Sequence, residues 1–215
     1  MLTIWGRRSA FNVQKVLWLM GELGLAYERI EAGGDFGGLD DPAFRTLNPH
    51  GRVPLLRDGD VLVWESHAIL RYLAARHGEG TFWSPDPARR VAADGWMDWS
   101  QTALQPAFLT GVFWGGYRTP EALRDEQALA AALERANRLM RRLEAQLEGR
   151  DYLLGETLSL ADIPTGTNLY RYFELEIDRP SLPRVEAWYA RLQARPAYAE
   201  HVMVPFGDLK GRLAF

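Results

Sequence analysis

The stretch "VPLLRDGDVLVWESHAILRYLAARHG", residues 53–78, contains the signals that decide the fold. Asp58-Gly59 separates two apolar triplets, which is the pattern of a β-hairpin turn. From Glu65 onward the apolar residues recur at helical spacing, and Gly78 marks the end of that helix. The stretch therefore predicts two antiparallel strands followed by a helix.

The residues before this stretch predict a strand, a helix and a second strand. Leu2–Trp5 has the pattern of a strand, a helical pattern follows from Ser9 to about Gly24, and a second strand begins at Tyr27. A βαβ unit of this length implies a parallel pair of strands. With a short helix or turn at residues 42–49, the order is β-α-β-(α)-β-β-α, and we predict a thioredoxin-like domain over residues 1–78.

The rest of the chain has only helical signals. Residues 79–88, "EGTFWSPDPA", have the glycine and proline content of a linker. Residues 89–215 then predict an all-helical domain, with an interruption at Pro106. Its longest helix has one apolar stripe, formed by Leu129, Leu133, Ala136, Met140, Leu143 and Leu147. The expected fold class is therefore α+β, a βαβ-ββα domain followed by an all-α domain.

Composition excludes several kinds of function. The chain has 215 residues, a formal net charge of -3 and no cysteine. It therefore lacks the basic field that attracts nucleic acid, and it can form neither a disulfide nor a cysteine nucleophile. The four histidines have no metal-ligand spacing, so we expect no metal. Without an apolar run of membrane length or a signal-peptide pattern, we expect no membrane association and a cytoplasmic location.

Three short motifs each allow a structural and a functional interpretation. Val53-Pro54 is either a trans proline at the start of an edge strand or a cis bond that leaves the Val53 backbone free for an extended ligand. In Glu65-Ser66, Ser66 either caps a helix or joins Glu65 in binding an amino acid head group. His50 and Arg52 are either solvated loop charges or partners for a carboxylate.

The motifs "NPHGRVPLL", "ESHAILRYLA" and "LSLADI" occur in this order along the chain. With them the chain resembles the cytosolic glutathione transferase family over essentially its whole length, in its serine-type (theta-, beta- and nu-like bacterial) branch. The resemblance implies glutathione as the co-substrate, a thiolate that attacks small hydrophobic electrophiles, and a homodimer. It also implies a glutathione site formed by His50, Arg52, Val53, Pro54, Glu65 and Ser66.

Within that implied site, each part of glutathione has a partner. Glu65 and Ser66 bind the γ-glutamyl head, Val53 pairs with the cysteinyl backbone, and Arg52 and His50 meet the glycine carboxylate. The third motif is structural instead. Its Ser159 and Asp162 have the spacing of a capping box, and we expect Pro164, just beyond it, to kink the helix.

The residue that activates the thiol is either Ser9 or Asn12. The cysteine branch of the family is excluded, and the first tyrosine is Tyr27, beyond the first predicted helix. Ser9 follows the first strand, as the hydroxyl does in serine-type relatives, but many relatives place a hydroxyl where this chain has Ala10. Ser9 is also a candidate helix cap, so the alternatives are Ser9 as sulfur ligand, Asn12 as the main donor, or no such side chain.

The electrophile pocket is expected between the two domains. Its candidate residues are Phe11, Phe113, Trp114 and Tyr117. Gly115-Gly116 is predicted to break the helix there and expose its neighbours, and the tail, residues 206–215, is a candidate cover for the cleft. Two further functions stay open, namely a glutathione-dependent peroxidase, disulfide reductase or isomerase, and a non-catalytic glutathione-binding or scaffold protein.

Overall fold

The computed structural model describes residues 1–213 of the chain. The first part alternates strands and helices in the predicted order: β1 Leu2–Trp5, α1 Phe11–Glu22, β2 Tyr27–Ile30, α2 Pro42–Leu47, β3 Leu55–Asp58, β4 Val61–Trp64 and α3 Ser66–His77. The sheet has the order β2-β1-β3-β4. β1 pairs with β2 in parallel, and the β1–β3 and β3–β4 pairs are antiparallel, so the predicted thioredoxin-like sheet is confirmed.

The β3–β4 hairpin turns at Gly59, which has a φ of 60°. This left-handed backbone favours glycine, and it lies where the Asp58-Gly59 signal predicted the turn. α1 and α3 bury their apolar residues against the rest of the chain, and Val16 and Leu70 have no exposed surface. The hairpin thus brings the start of α3 to the end of the sheet.

The second part is helical throughout the described residues. Its helices are α4 Pro87–Trp99, a π-helical segment Ser100–Arg118, α5 Glu126–Gln146, α6 Asp162–Glu174, α7 Pro183–Gln193 and α8 Pro196–His201. Short 3₁₀ turns lie at Gly34–Phe36, Glu121–Leu123 and Gly207–Leu209. Within residues 1–213, no helix is both long enough and apolar enough to cross a bilayer.

Two predicted helix breaks are wrong. α4 runs into the segment Ser100–Arg118 with helical backbone at Ser100, and this segment contains both Pro106 and Gly115-Gly116. The wider π turn moves backbone carbonyls away from the proline ring that would clash with them in an α-helix. A Cβ at Gly116 would lie 3.0 Å from Leu129 of α5, so this glycine allows close helix packing and does not end the helix.

The start of α6 confirms the structural interpretation of "LSLADI". The Asp162 carboxylate accepts hydrogen bonds from Leu153 N, Ser159 N and Ser159 Oγ at 2.8–2.9 Å. Burial raises the pKa of Asp162 to about 6, and these hydrogen bonds pull it in the opposite direction. Because α6 begins at Asp162, Pro164 lies in its first turn, where an amide has no acceptor within the helix, so this proline removes no hydrogen bond from the helix.

Candidate functional site

A cavity of about 370 Å³ lies between the sheet domain and the helices. Its walls come from the start of α1, the loop before β3, the segment Ser100–Arg118, α6 and the tail. Among the predicted site residues, those that line it are Ser9, Phe11, Asn12, Arg52, Val53, Phe113 and Trp114. The fold thus brings together one set of residues from the beginning and another from the middle of the chain.

The start of α1 opens onto this cavity without a side-chain cap. Ala10 occupies the N-cap position with extended backbone (φ -73°, ψ 122°), and no side chain accepts from the first-turn amides. Ser9 lies in the turn before Ala10 and does not cap the helix, so the capping alternative for Ser9 is wrong. The positive end of the α1 dipole is therefore available to an anion in the cavity.

Asn12 faces the same cavity from the first turn of α1. Its Oδ1 is buried and has no hydrogen-bond partner within residues 1–213. In the opposite orientation, this amide presents two N–H donors at the same point. Either way, Asn12 carries an unmet hydrogen-bonding group at the cavity wall.

The loop before β3 forms the opposite wall. The Val53-Pro54 bond is cis. In the described part of the chain, neither Val53 N nor Val53 O makes a backbone hydrogen bond. Asn48 Nδ2 donates to Arg52 O at 2.8 Å and fixes the loop next to Val53. The exposed Arg52 lines the cavity, whereas the exposed His50 does not and packs on Trp64 at 4.6 Å between ring centroids.

The start of α3 is also uncapped. Ser66 is the first helical residue and Glu65 occupies the N-cap position, with no side-chain hydrogen bond to the first turn. The alternative that Ser66 caps this helix is therefore wrong. Glu65 is the only described non-glycine residue with a positive φ, 68°, and such strain is common at functional sites. Glu65 is exposed, Ser66 is buried, and neither lines the cavity.

Three of the four residues predicted for the electrophile pocket line the apolar wall of this cavity. Phe11, Phe113 and Trp114 line the cavity, whereas Tyr117 lies behind Phe113, with ring centroids 5.4 Å apart. Leu209 of the tail completes this wall, and Gly211 N donates to Tyr117 O at 2.9 Å. The tail therefore covers part of the cavity as expected, although residues 214–215 lie outside the described residues.

Sequence reasoning missed three arginines that line the cavity, Arg7, Arg118 and Arg171. Arg171 of α6 donates to Ser9 O at 3.0 Å and lies 5.1 and 4.9 Å from the ring centroids of Phe11 and Phe113. Burial, together with the charges of Arg118 and Arg7, lowers the pKa of Arg171 to about 9. Because the three are far apart in sequence, no local pattern distinguishes them from surface arginines.

A second buried cation lies behind the cavity, on α1. Lys15 is fully buried, and its Nζ lies 2.7 Å from Gln105 Oε1 and 3.3 Å from His67 Nε2. Burial lowers the pKa of Lys15 to about 7, although the charge of Glu65 opposes the shift. Within residues 1–213, no group of three or more His, Cys, Asp or Glu side chains is placed to hold a metal ion.

A thioredoxin-like sheet domain joined to a helical domain, with a cleft at the start of the first helix, is the architecture of glutathione transferases. Comparison with known proteins agrees with this class. The family models for the glutathione S-transferase N-terminal and C-terminal domains match residues 1–75 and 105–196. The chain belongs to the glutathione S-transferase family, and its enzyme class is glutathione transferase.

Individual relatives cover nearly the whole chain. Glutathione S-transferase GstB of Escherichia coli strain K12 is 40% identical, over 95% of this chain and 99% of its own length. Glutathione S-transferase 3 of Zea mays is 30% identical, over 94% and 93%. A theta class glutathione S-transferase from Xanthomonas axonopodis pv. citri, solved with glutathione bound, is 48% identical, with a TM-score of 0.89 over 95% of this chain and 98% of that one.

Proposed function

We propose that the chain conjugates glutathione to small hydrophobic electrophiles, with the glutathione thiolate held at the uncapped start of α1. The observation that carries this proposal is the unmet hydrogen-bonding capacity at one point of the cavity. The first-turn amides of α1 have no side-chain acceptor there, and the buried Asn12 amide has an atom without a partner among the described residues. The glutathione bound to the Xanthomonas relative supports this choice of ligand.

The energetic requirement on this site is modest. A free thiol has a pKa near 8.5, so only a few per cent of it is ionised at neutral pH. Lowering that pKa by about two units needs roughly 2.7 kcal/mol. The helix dipole and a hydrogen bond to the charged sulfur can each contribute on the order of 1 kcal/mol or more. The thiolate then forms a C–S bond with the electrophile as the leaving group departs with its electron pair.

The remaining parts of glutathione have partners in the same arrangement. Val53 lines the cavity, and its backbone N–H and C=O pair with the cysteinyl backbone; the cis bond to the buried Pro54 sets the direction of Val53. Arg52 at the cavity, with His50 nearby, meets the glycine carboxylate. The uncapped start of α3 takes the γ-glutamyl carboxylate on its amides and Ser66, and Glu65 takes the ammonium.

The apolar wall supplies the second substrate site. Phe11, Phe113 and Trp114 offer aromatic faces to a small electrophile, and Tyr117 supports Phe113 from behind. In this proposal, residues 1–78 bind glutathione and residues 89–215 supply the electrophile pocket. The active form is a homodimer, and sedimentation velocity of the purified chain tests this oligomeric state.

The test is the pH profile of conjugation for Ser9→Ala and Asn12→Ala. For the residue that holds the sulfur, we expect kcat/KM at pH 7 to fall about tenfold and the apparent thiol pKa to rise about one unit, toward 8.5. Ser100→Ala is the matched control, because Ser100 Oγ is equally buried and unpartnered but lies outside the cavity. Unchanged profiles in both variants contradict side-chain activation of the thiol.

Substrate choice separates the other functions. Retention on immobilised glutathione with turnover of an aryl halide supports a transferase, whereas turnover of a hydroperoxide or a mixed disulfide alone points to a peroxidase or reductase. Retention without any turnover points to a non-catalytic binding protein. A folded chain that is not retained contradicts all of the glutathione-based functions.

A further inference from the structure

The apolar wall of the cavity also contains an unusual concentration of positive charge. Arg7, Arg118 and Arg171 line it beside Phe11, Phe113 and Trp114, on the side where the electrophile is proposed to bind. Arg52, at the loop before β3, is already assigned to the glycine carboxylate. No aspartate or glutamate is among the described residues that line the cavity.

Arg171 is one of two nearly fully buried members of this group, and the other is Arg118. Arg171 is 3% exposed, and it lies between the rings of Phe11 and Phe113. Ser9 O accepts a hydrogen bond from its Nη2, and a guanidinium has five N–H donors in all. Among residues 1–213, no carboxylate forms an ion pair with Arg171.

The neighbouring charges make this burial less favourable. Arg118 and Arg7 both repel the charge of Arg171, and burial itself disfavours it. The acidic groups Asp35 and Asp208 act on Arg7, and Asp208 also acts on Arg118, but neither acts on Arg171. A buried cation without a counter-ion is strongly destabilising, whereas an anion placed against it recovers a charge-assisted hydrogen bond in a site of low polarity.

We infer that the electrophile pocket selects substrates that carry an anionic oxyacid group, such as a carboxylate, sulfonate or phosphonate, and that Arg171 binds this group. This inference rests on the proposed function and narrows its substrate class. The aromatic faces hold the apolar body of the substrate, and the guanidinium of Arg171 holds its charged end. The thiolate attacks the electrophilic carbon, the C–S bond forms, the leaving group departs with its electron pair, and the oxyacid group is unchanged.

The experiment uses two electrophiles of the same shape, 4-chloro-3,5-dinitrobenzoate and 4-chloro-3,5-dinitrobenzamide, whose attack by glutathione releases chloride. After division by the non-enzymatic rates, we expect kcat/KM to favour the acid. Arg171→Met should reduce this preference about tenfold to a hundredfold, the range of one charged hydrogen bond, and Arg171→Lys should reduce it less. Circular dichroism and thermal melting establish that both variants are folded.

Arg179→Met is the matched control. Arg179 follows the end of the same helix and packs near the rings of Tyr172 and Phe173, outside the cavity, so the preference should persist. An equal preference in wild type and Arg171→Met overturns the inference. It is also overturned if Arg171→Met raises KM for glutathione equally with both electrophiles, because the arginine then belongs to the glutathione site.

A direct binding measurement separates this inference from the proposed function. If wild type conjugates neither compound, the proposed transferase function fails. Calorimetric titration with the unreactive 3,5-dinitrobenzoate and its amide then tests the anion site alone. Tighter binding of the acid that is lost in Arg171→Met supports the inference, and equal affinity for acid and amide overturns it.

Discussion

The two helix starts that are proposed to bind glutathione, those of α1 and α3, differ from the starts of α2, α4 and α5. α2, α4 and α5 begin with Asp41, Asp86 and Asp125, and each of these carboxylates accepts a hydrogen bond from a first-turn amide at 2.8–2.9 Å. Among the described residues, α1 and α3 begin at Ala10 and Glu65 without a side-chain cap from the N-cap residue, and α6, α7 and α8 also lack one. The aspartate caps stabilise the starts of α2, α4 and α5. At α1 and α3, the first-turn amides have no side-chain acceptor and stay available for an anion.

Side-chain charges show the same contrast. Away from the cavity, Arg195 pairs with Glu22 at 2.6 Å, and Arg71 pairs with Asp94 at 2.7 Å. At the cavity and behind it, Arg171 and Lys15 are buried without an ion pair among the described residues. A missing cap costs about 1 kcal/mol, so the molecule gives up stability in the region that is proposed to bind an anionic ligand.

The largest effect is expected at the buried carboxylate of Asp162, the first residue of α6. Asp162→Ala removes the acceptor for three donors of Leu153 and Ser159, and we expect a loss of about 2–4 kcal/mol in the free energy of unfolding. Urea denaturation measures this loss. Asp125→Ala is the control, because it removes an exposed cap and should cost about 1 kcal/mol. Equal losses in the free energy of unfolding would show that burial does not increase the stability that a carboxylate at a helix start provides.

An intermediate effect concerns the pH dependence of stability through Lys15. Because burial lowers its pKa to about 7 from 10.5, the unfolded state binds more protons between these values. The contribution of Lys15 to stability therefore rises as pH increases from about 7 to 10.5, by at most about 1.4 kcal/mol per pH unit. Lys15→Met should lack this rise, so its stability relative to wild type falls as pH increases.

Urea denaturation at pH 7, 8 and 9 measures this difference. The chain offers a matched control in the exposed Lys210, since Lys210→Met should show the same pH dependence as wild type. If the stability of Lys15→Met and that of wild type change with pH in parallel, burial does not disfavour the charged form of Lys15 as expected.

The smallest effect on stability comes from capping α1 artificially. Ala10 already has the extended backbone of an N-cap residue, so Ala10→Asp and Ala10→Asn should each stabilise the protein by about 0.5–1 kcal/mol. Only the aspartate places a negative charge where the thiolate is proposed to lie. Conjugation at pH 7 should therefore fall more in Ala10→Asp than in Ala10→Asn, and equal activities would place the thiolate elsewhere.

Local patterns predicted the sheet domain well. The Asp58-Gly59 turn and the apolar repeats of α1 and α3 act between neighbours in sequence, so the order of elements along the chain follows from them. The predicted breaks at Pro106 and Gly115-Gly116 were wrong because packing against α5 and the wider π turn override local preferences. Ser9 and Ser66 were plausible caps from the sequence. In the structure, Ser9 lies one residue before the N-cap position of α1, and Ser66 lies one residue after that of α3.

By itself, the sequence determined the fold class, the family resemblance and seven of the fifteen described residues that line the cavity, because these depend largely on motifs of adjacent residues. The tertiary structure alone decided which helix starts are uncapped and which charges are unpaired. It also placed Arg7, Arg118 and Arg171 around one cavity, although they come from the N-terminal loop and two separate helices. Charge and burial depend on which distant segments pack together, and no pattern of adjacent residues contains that information.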